Sequence, residues 1–459
     1  MRATLGDAEA ERLVTALAED APVSVRLNPL RNVVPAGAAQ PVPWSSAGYY
    51  LAGRPAFTFD PLLHAGAYYV QEAASMFVEQ ALRAMDGVPR RVLDLCAAPG
   101  GKSTLWRSLL PDDSLLVANE PLRPRAAVLA ENMQKWGHPA VCVTAAYPAD
   151  FAPLTDFFDV VAADVPCSGE GMFRKDPGAV GEWQAESPAL CAARQRSIVA
   201  DVWPALRTGG YLVYSTCTFN RLEDEDNVRW IIRELGAEPV PLAVDSAWGI
   251  AGDTTGGDLP VYHFFPHRTR GEGFFLALLR KTADTPAPSR RRIRTPHRAG
   301  QPVPKACRDW LTGDYRFVAR PDGFAALPAA LADDMERVAG AVPTLVNGVS
   351  VGEMRGPKLQ PAHALALSAA RRADAFPVAE LSYAEAVAYL RREAVVPPVA
   401  GRGYTVVAYQ GRALGFVNHL GTRANNLYPP EWRIRSTYGP DAAPEVVLPV
   451  DSPKPQYIR

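Results

Sequence analysis

No run of about 18 apolar residues occurs in the 459-residue chain, which argues against a membrane-spanning helix. Met1 to Asp20 form an acidic amphipathic pattern without the apolar stretch of a secretory signal. The six cysteines are scattered, with neither disulfide nor zinc spacing, so no metal site is expected and a reducing cytoplasm fits. An excess of one charge is also missing: 48 Lys and Arg against 49 Asp and Glu leave a formal net charge of −1. Such a chain has no global attraction for nucleic acid, and any basic surface has to be local. What remains is ordinary for a globular protein, with 48% hydrophobic and 21% charged residues and length enough for two or three domains. The 43 prolines point to many turns and rigid connections.

From Arg90 onward strands and helices alternate, the pattern of a parallel sheet covered on both faces. Strands are predicted at 92–95, 115–119, 141–144, 160–163 and 211–215, with helices at 123–136, 189–206 and 223–235 and a closing strand at 273–279. The fold class is therefore α/β with a doubly wound, Rossmann-like sheet. Residues 1–85 form an N-terminal extension, 86–281 the sheet domain, 282–308 a linker and 309–459 a C-terminal region. The linker is basic, carrying Arg290, Arg291, Arg292, Arg294, Arg298 and Lys305 among Pro, Ser and Thr, and reads equally as an RNA contact or a plain connection. In the C-terminal region, 404–417 resembles a β-hairpin turning at Gln410-Gly411. Arg423, Asn425, Asn426, Tyr428, Trp432, Arg433 and Arg435 then form a mixture suited to stacking on bases and holding phosphates.

In open parallel sheets ligands bind outside the carboxyl ends of the strands. The first strand ends in Asp94 and the small-residue loop Cys96-Ala97-Ala98-Pro99-Gly100-Gly101-Lys102, which lets a ligand approach bare backbone at a helix N-terminus. Gly101-Lys102-Ser103 is also the tail of a phosphate-binding loop, but that pattern needs a glycine where Cys96 stands. The second strand ends in Glu120, about where an acid meets a ribose hydroxyl pair. The fourth ends in Asp164-Val-Pro-Cys167 and the fifth in Ser215-Thr-Cys217. Cys142, Cys191 and Cys307 read as core filler, and Cys96 as a small residue packed in the loop. Two thiols on one cleft edge point to covalent chemistry, and the absence of a pairing histidine argues against a cysteine hydrolase. Position alone does not say which thiol attacks.

These residues resemble the Nol/Nop/Sun family of RNA cytosine-C5 methyltransferases, over Val25 to Leu279. Leu93 to Ser103 is similar to the family's cofactor loop, and Glu120 with Arg125 and Asn132 to the segment that meets the ribose. Asp164 to Asp176 and Tyr214 to Thr218 resemble its two cysteine motifs, and Ser24 to Asn28 and Tyr69 to Ser75 its N-terminal RNA-side segment. The long Asp164 motif and Arg423 to Pro430 resemble the bacterial small-subunit rRNA methyltransferase F branch, whose C-terminal part is a PUA-like RNA-binding module.

The resemblance implies an S-adenosylmethionine-dependent methyltransferase making 5-methylcytosine in RNA, with Cys217 as nucleophile, Cys167 assisting product release and Asp164 holding the base. It implies that Cys96 to Lys102, Glu120, Arg125 and Asp164 hold the cofactor. Lys102 is a candidate for lowering the Cys217 pKa. Two departures stand out. Tyr147, with Asp150 three positions later, occupies a place where the family often has an adenine-binding Asp, and Val165 replaces a usual Ala. Ribosomal RNA is the expected substrate. Transfer RNA would suit the same residues, and a non-catalytic RNA-binding or assembly factor is the rival from another class.

Overall fold

The computed structural model describes residues 2–284, 302–399 and 401–450. The basic stretch Arg290 to Arg298 lies outside the described residues, while Lys305 opens a short helix, Lys305–Asp309.

Among the described residues nine strands build the central sheet: β1 (Arg91–Asp94), β2 (Leu115–Asn119), β3 (Val141–Thr144), β4 (Phe158–Asp164), β5 (Leu206–Thr216), β6 (Ala237–Pro239), β7 (Val261–Phe264), β8 (Phe274–Lys281) and β9 (Thr344–Asn347). Their spatial order is β6-β8-β5-β4-β1-β2-β3-β9, with β7 also paired to β8. The five central strands run parallel in the order 3-2-1-4-5, so the chain reverses its winding beside β1. That reversal opens a crevice at the carboxyl end of β1, where the small-residue loop lies. Helices α1 (Gly101–Leu109), α2 (Arg123–Trp136), α3 (Ser187–Val202) and α4 (Glu225–Leu235) accompany these strands. Because strand side chains alternate, Leu93, Val117 and Val161 enter one buried core while Val92, Leu116 and Val160 enter the other. Burial on both faces is why these strands read as continuous apolar runs.

The outer strands are antiparallel, β8 against β5 and β9 against β3. β9 comes from the expected C-terminal region, and Met335 and Val338 of helix Ala332–Ala341 pack into the same core as Leu93. The sheet's packing therefore runs past residue 309.

The N-terminal extension forms a small sheet ordered Gln40–Pro41, Gly48–Tyr50, Ser24–Leu27 and Tyr68–Val70. Its Arg26 is fully buried and donates to Gln71 Oε1 at 2.7 Å, Thr104 Oγ1 at 2.5 Å and the Gly101 carbonyl at 3.3 Å. Asn28 donates to the Gly66 and Trp136 carbonyls. The Ser24 to Asn28 motif thus faces inward and clamps the extension to α1 and α2.

In the C-terminal region Gly403–Tyr409 pairs with Arg412–His419. Its turn residues Gln410 and Gly411 have φ of 47° and 70°, as a two-residue hairpin turn of matching twist requires. The expected base-stacking set divides. Arg423, Asn425, Arg433 and Arg435 are exposed. Tyr428 is buried, with its hydroxyl at His64, Asn426 donates to the Tyr389 and Glu393 carbonyls, and Trp432 packs edge-on to His363. These side chains hold the module together, because their apolar surface and amide groups find partners within the protein. The module is tied to the N-terminal extension by Arg412, which donates to the Arg31 and Asn32 carbonyls, and by pairing of Val33–Pro35 with Val447–Pro449. No described helix is long and apolar enough to cross a membrane.

Candidate active site at the carboxyl ends of the parallel strands

The loop after β1 is held by the ends of its neighbours. Asn119 at the end of β2 donates to the Leu95 carbonyl at 2.9 Å. Arg125 and Asn132 of α2 reach back to the Ala98 and Pro99 carbonyls at 3.1 and 2.8 Å. Gly100, with φ of 120°, turns the chain into α1, a conformation side-chain-bearing residues rarely adopt. Three acids surround this loop: Asp94, Glu120 and Asp164 all act on the Cys96 thiol, whose pKa burial pushes up first. Cys96 is therefore held in its neutral form. Ser103 Oγ donates to Asp94 Oδ2 at 2.6 Å, while Oδ1 is buried and has no partner among the described residues. Burial, assisted by Asp164, pushes the Asp94 carboxyl up to about 7. Glu120 is 2% exposed; it accepts from the Leu122 N–H at 3.1 Å and pairs with Arg125 at 3.2 Å.

This surround decides between the two readings of the loop. A phosphate would meet three carboxylates, and the ammonium it needs is committed elsewhere, since Lys102 Nζ donates to Asp164 Oδ2 at 2.9 Å. A ligand with a sulfonium charge, a ribose diol and an amino group fits, because the unpartnered Asp94 oxygen and the Glu120 carboxylate supply acceptors at bare backbone. Tyr147, at the end of β3, is 63% exposed; its N–H donates to Asp150 Oδ2, which engages that carboxylate within its own turn.

The second half of the site joins the ends of β4 and β5. Cys167 Sγ and Cys217 Sγ are 3.2 Å apart, a thiol hydrogen bond. Ser215 Oγ donates to Asp164 Oδ1 at 2.8 Å, so both Asp164 oxygens are oriented by protein donors. The hydrogen bond from Cys167 draws the Cys217 pKa below its ordinary value; burial and Asp164 oppose this and Lys102 assists it. The same hydrogen bond, followed by burial, pushes Cys167 up. Burial works against the charge on Lys102, but the adjacent Asp164 raises its pKa overall, so the ammonium persists.

The expected residues thus form two adjoining groups: the loop with Glu120 and Arg125, and the cluster Lys102, Asp164, Cys167 and Cys217. Sequence reasoning missed the supports behind the cysteines. Glu223 accepts from the Ser168 N–H at 3.1 Å, Gln195 Nε2 at 2.6 Å and Asn220 Nδ2 at 2.7 Å, so one carboxylate joins the two cysteine-bearing loops. Burial raises the Glu223 pKa, against these donors. Gly171 N–H donates to the Cys217 carbonyl at 2.9 Å. Only the run of acids from Glu223 to Glu225 hinted at this, and a charge run ordinarily reads as a solvated face. Cys142 and Cys307 are buried as expected, whereas Cys191 is only partly covered.

A Rossmann-like sheet with an acid-lined nucleoside loop at its switch point, opening on a paired-thiol cleft, defines an S-adenosylmethionine-dependent methyltransferase. The family model for 16S rRNA methyltransferase RsmB/F matches residues 82–280, and those for the N-terminal and PUA domains of RsmF match residues 1–73 and 376–434. Ribosomal RNA small subunit methyltransferase F of Enterobacter sp. (strain 638) is 34% identical over 412 residues, covering 85% of this chain and 83% of the relative. That of Cronobacter sakazakii is 33% identical over 439 residues, covering 89% of each. The chain belongs to the ribosomal RNA small subunit methyltransferase F family and is an RNA methyltransferase. Among solved structures, a methyltransferase homolog from Pyrococcus horikoshii shares the fold with a TM-score of 0.51 at 24% identity, covering 61% of this chain and 92% of that one. NSun6 from the same organism, with SFG, gives 0.51 at 20% identity and covers 62% and 97%.

Proposed function

We propose that the enzyme methylates C5 of a cytosine in small-subunit ribosomal RNA through a covalent bond between Cys217 and C6 of the base. The observation that supports this most directly is the pairing of Cys217 with Cys167 at 3.2 Å beside the Lys102–Asp164 pair. C5 of cytosine is too electron-poor to attack a methyl donor. A thiolate adding to C6 makes C5 an enamine carbon, and the environment of Cys217 favours the thiolate. S-adenosylmethionine, when bound, supplies an electrophilic methyl group carried on a positively charged sulfur. Asp94, Glu120 and the backbone of residues 96–101 are the groups that would hold it, and Lys102 lies in the first turn of the helix that follows this loop. Asp164 keeps acceptor capacity on oxygens already oriented by Lys102 and Ser215, and uses it on the N3 and amino edge of the base. After the methyl is in place, solvent water takes the C5 proton, the electrons of that C–H bond restore the C5–C6 double bond, and those of the Cys217–C6 bond return to Cys217 as its thiolate. Cys167, held protonated beside that sulfur, assists this elimination.

The domain division goes with this reading: residues 86–281 do the chemistry with β9 of the C-terminal region closing their sheet, 282–308 lead from them to 309–459, and 1–85 and the C-terminal module carry the RNA-side surfaces. Membership of a ribosomal RNA family favours rRNA over tRNA as substrate. Bisulfite sequencing of total RNA with and without the gene tests the product, and loss of one methylated small-subunit cytosine is expected. Cys217→Ala should abolish methyl transfer while S-adenosylmethionine still binds; unchanged turnover would sink the nucleophile assignment. Cys167→Ala should accumulate a denaturant-resistant protein–RNA adduct, and its absence would count against the release role.

A further inference from the structure

The helix Asp7–Leu17 carries none of the motifs and takes no part in the methyl transfer, yet it touches both cysteine-bearing segments. Its sequence places Ala10, Leu13 and Ala16 three residues apart on one face, and that face is buried. Asp7 and Glu9 in the first turn suit the positive end of the helix dipole. Glu9 also anchors the helix to the catalytic domain, where its Oε2 pairs with His267 at 2.9 Å and with Arg268 at 2.6 Å. Near the other end the Ala16 carbonyl accepts from Arg174 at 3.4 Å. Arg174 stands seven positions beyond Cys167, by subtraction, and is fixed there by a buried pair with Glu272 at 3.0 Å.

Leu13 makes the contact to the other segment. It is fully buried and forms a small cluster with Phe219 and Phe265, joined by Leu5 and Leu17 from the same end of the chain. Phe219 stands two positions beyond Cys217, by subtraction, and its ring stacks on Phe265 at 5.6 Å. A Cβ on Gly273 would lie 2.5 Å from the Phe219 ring and 2.7 Å from the Gly171 Cα, so these three residues are in close contact. Gly171 in turn donates to the Cys217 carbonyl at 2.9 Å, and the Phe219 N–H donates to Glu170 Oε2 at 3.1 Å. A shift of Phe219 therefore reaches Cys217 both along the chain and through Gly171. The cluster is separate from the two cores that hold the sheet, so truncating Leu13 loosens the first without opening the others.

We propose that Leu13 is a positioning residue of the methyltransferase site: packed on Phe219, it holds the Cys217 sulfur within reach of Cys167. This rests on the proposed function and deepens it, since the two sulfurs, 3.2 Å apart, lie on segments that this helix braces together. Leu13 touches no reacting atom, so it acts on the rate of the chemical step and on neither ligand's affinity.

The test uses the full chain, labelled S-adenosylmethionine and small ribosomal subunits from cells without the gene. Leu13→Ala should lower kcat by about 10- to 100-fold, as misplacing a reacting group by about 1 Å does, with KM for the subunit and affinity for S-adenosylmethionine unchanged. Leu13→Met keeps the volume and should restore most of the rate. Val14→Ala, at an exposed position of the same helix, should keep all of it. Alkylation of Cys217 by iodoacetamide, followed across pH, supplies a readout that a loss of stability does not move. The hydrogen bond from Cys167 favours the Cys217 thiolate, so loosening it should shift alkylation in Leu13→Ala to higher pH. Parental kcat or an unshifted alkylation curve in Leu13→Ala would overturn the positioning role. So would a fall in kcat that merely follows loss of bound cofactor, or one that Leu13→Met or Val14→Ala shares in full. If Cys217→Ala itself keeps turnover, it is the proposed function that fails instead.

Discussion

Gly171 offers a prediction whose size can be worked from distances. A Cβ placed there would sit 2.7 Å from the Cys217 carbonyl oxygen and 2.8 Å from that of Gly273, where ordinary contact begins near 3.4 Å. The overlap is thus about 0.6 to 0.7 Å against two backbone oxygens at once. Neither can rotate away, because the first accepts the Gly171 N–H and the second belongs to a residue packed against Phe219. Gly171→Ala therefore has to push the Cys217 loop from its place by a comparable distance. Overpacking of this kind costs roughly 1–3 kcal/mol in stability. A displacement approaching 1 Å at the reacting sulfur lowers kcat by up to about 100-fold. The assay is methyl transfer from labelled cofactor to rRNA, alongside thermal unfolding and cofactor binding. Gly181→Ala is the control, since a Cβ there meets nothing within 4 Å among the described residues. If Gly171→Ala kept parental kcat and Tm, the view that backbone packing positions Cys217 would be refuted.

Lys102→Gln should move the acid limb of the kcat/KM profile to higher pH, because an ammonium that favours the Cys217 thiolate is gone; an unmoved limb would show that Cys167 alone sets the thiolate. Glu223→Ala leaves the Ser168, Gln195 and Asn220 donors without their acceptor and should lower kcat while leaving the KM for cofactor in place. Glu223→Gln, which keeps one acceptor, should recover part of the loss, and steady-state kinetics on both variants checks it. Asp94 gives a pH effect on stability. Its folded pKa is raised to about 7 from 3.8, so its contribution is full below about pH 4 and is lost as pH rises through 7. Asp94→Asn should show a smaller fall in denaturant midpoint between about pH 5 and pH 8 than the parent, and an equal fall would contradict the burial argument.

The parallel strands and the loop at Asp94 could be read in advance because their signals are local: an apolar run, a turn, a helix start. The strand ends at Glu120, Asp164 and Cys217 followed from the same rule, since a sheet presents what its carboxyl ends carry. Partners joined across the chain had no such signal. Glu223 meets Ser168 across 55 positions, and Arg26 meets Thr104 across 78. An arginine in an RNA-side motif looks like a phosphate ligand until Gln71 and Thr104 are seen to consume its donors. Tyr428 and Trp432 misled in the same way, because aromatic residues suit a base-stacking surface and a module core equally well.

The antiparallel strand β9 bears on how the enzyme comes to exist. A chain emerging from the ribosome has all five parallel strands and both cysteines by residue 217, yet the free edge of β3 waits for Thr344–Asn347. Until then the nascent catalytic unit presents an open strand of Val141, Cys142 and Val143, a template for pairing with another chain. Completion of the catalytic sheet is thereby made conditional on synthesis of the C-terminal region. A truncated product would carry the whole reactive cleft together with an edge liable to aggregate, which removes it from the pool able to modify RNA.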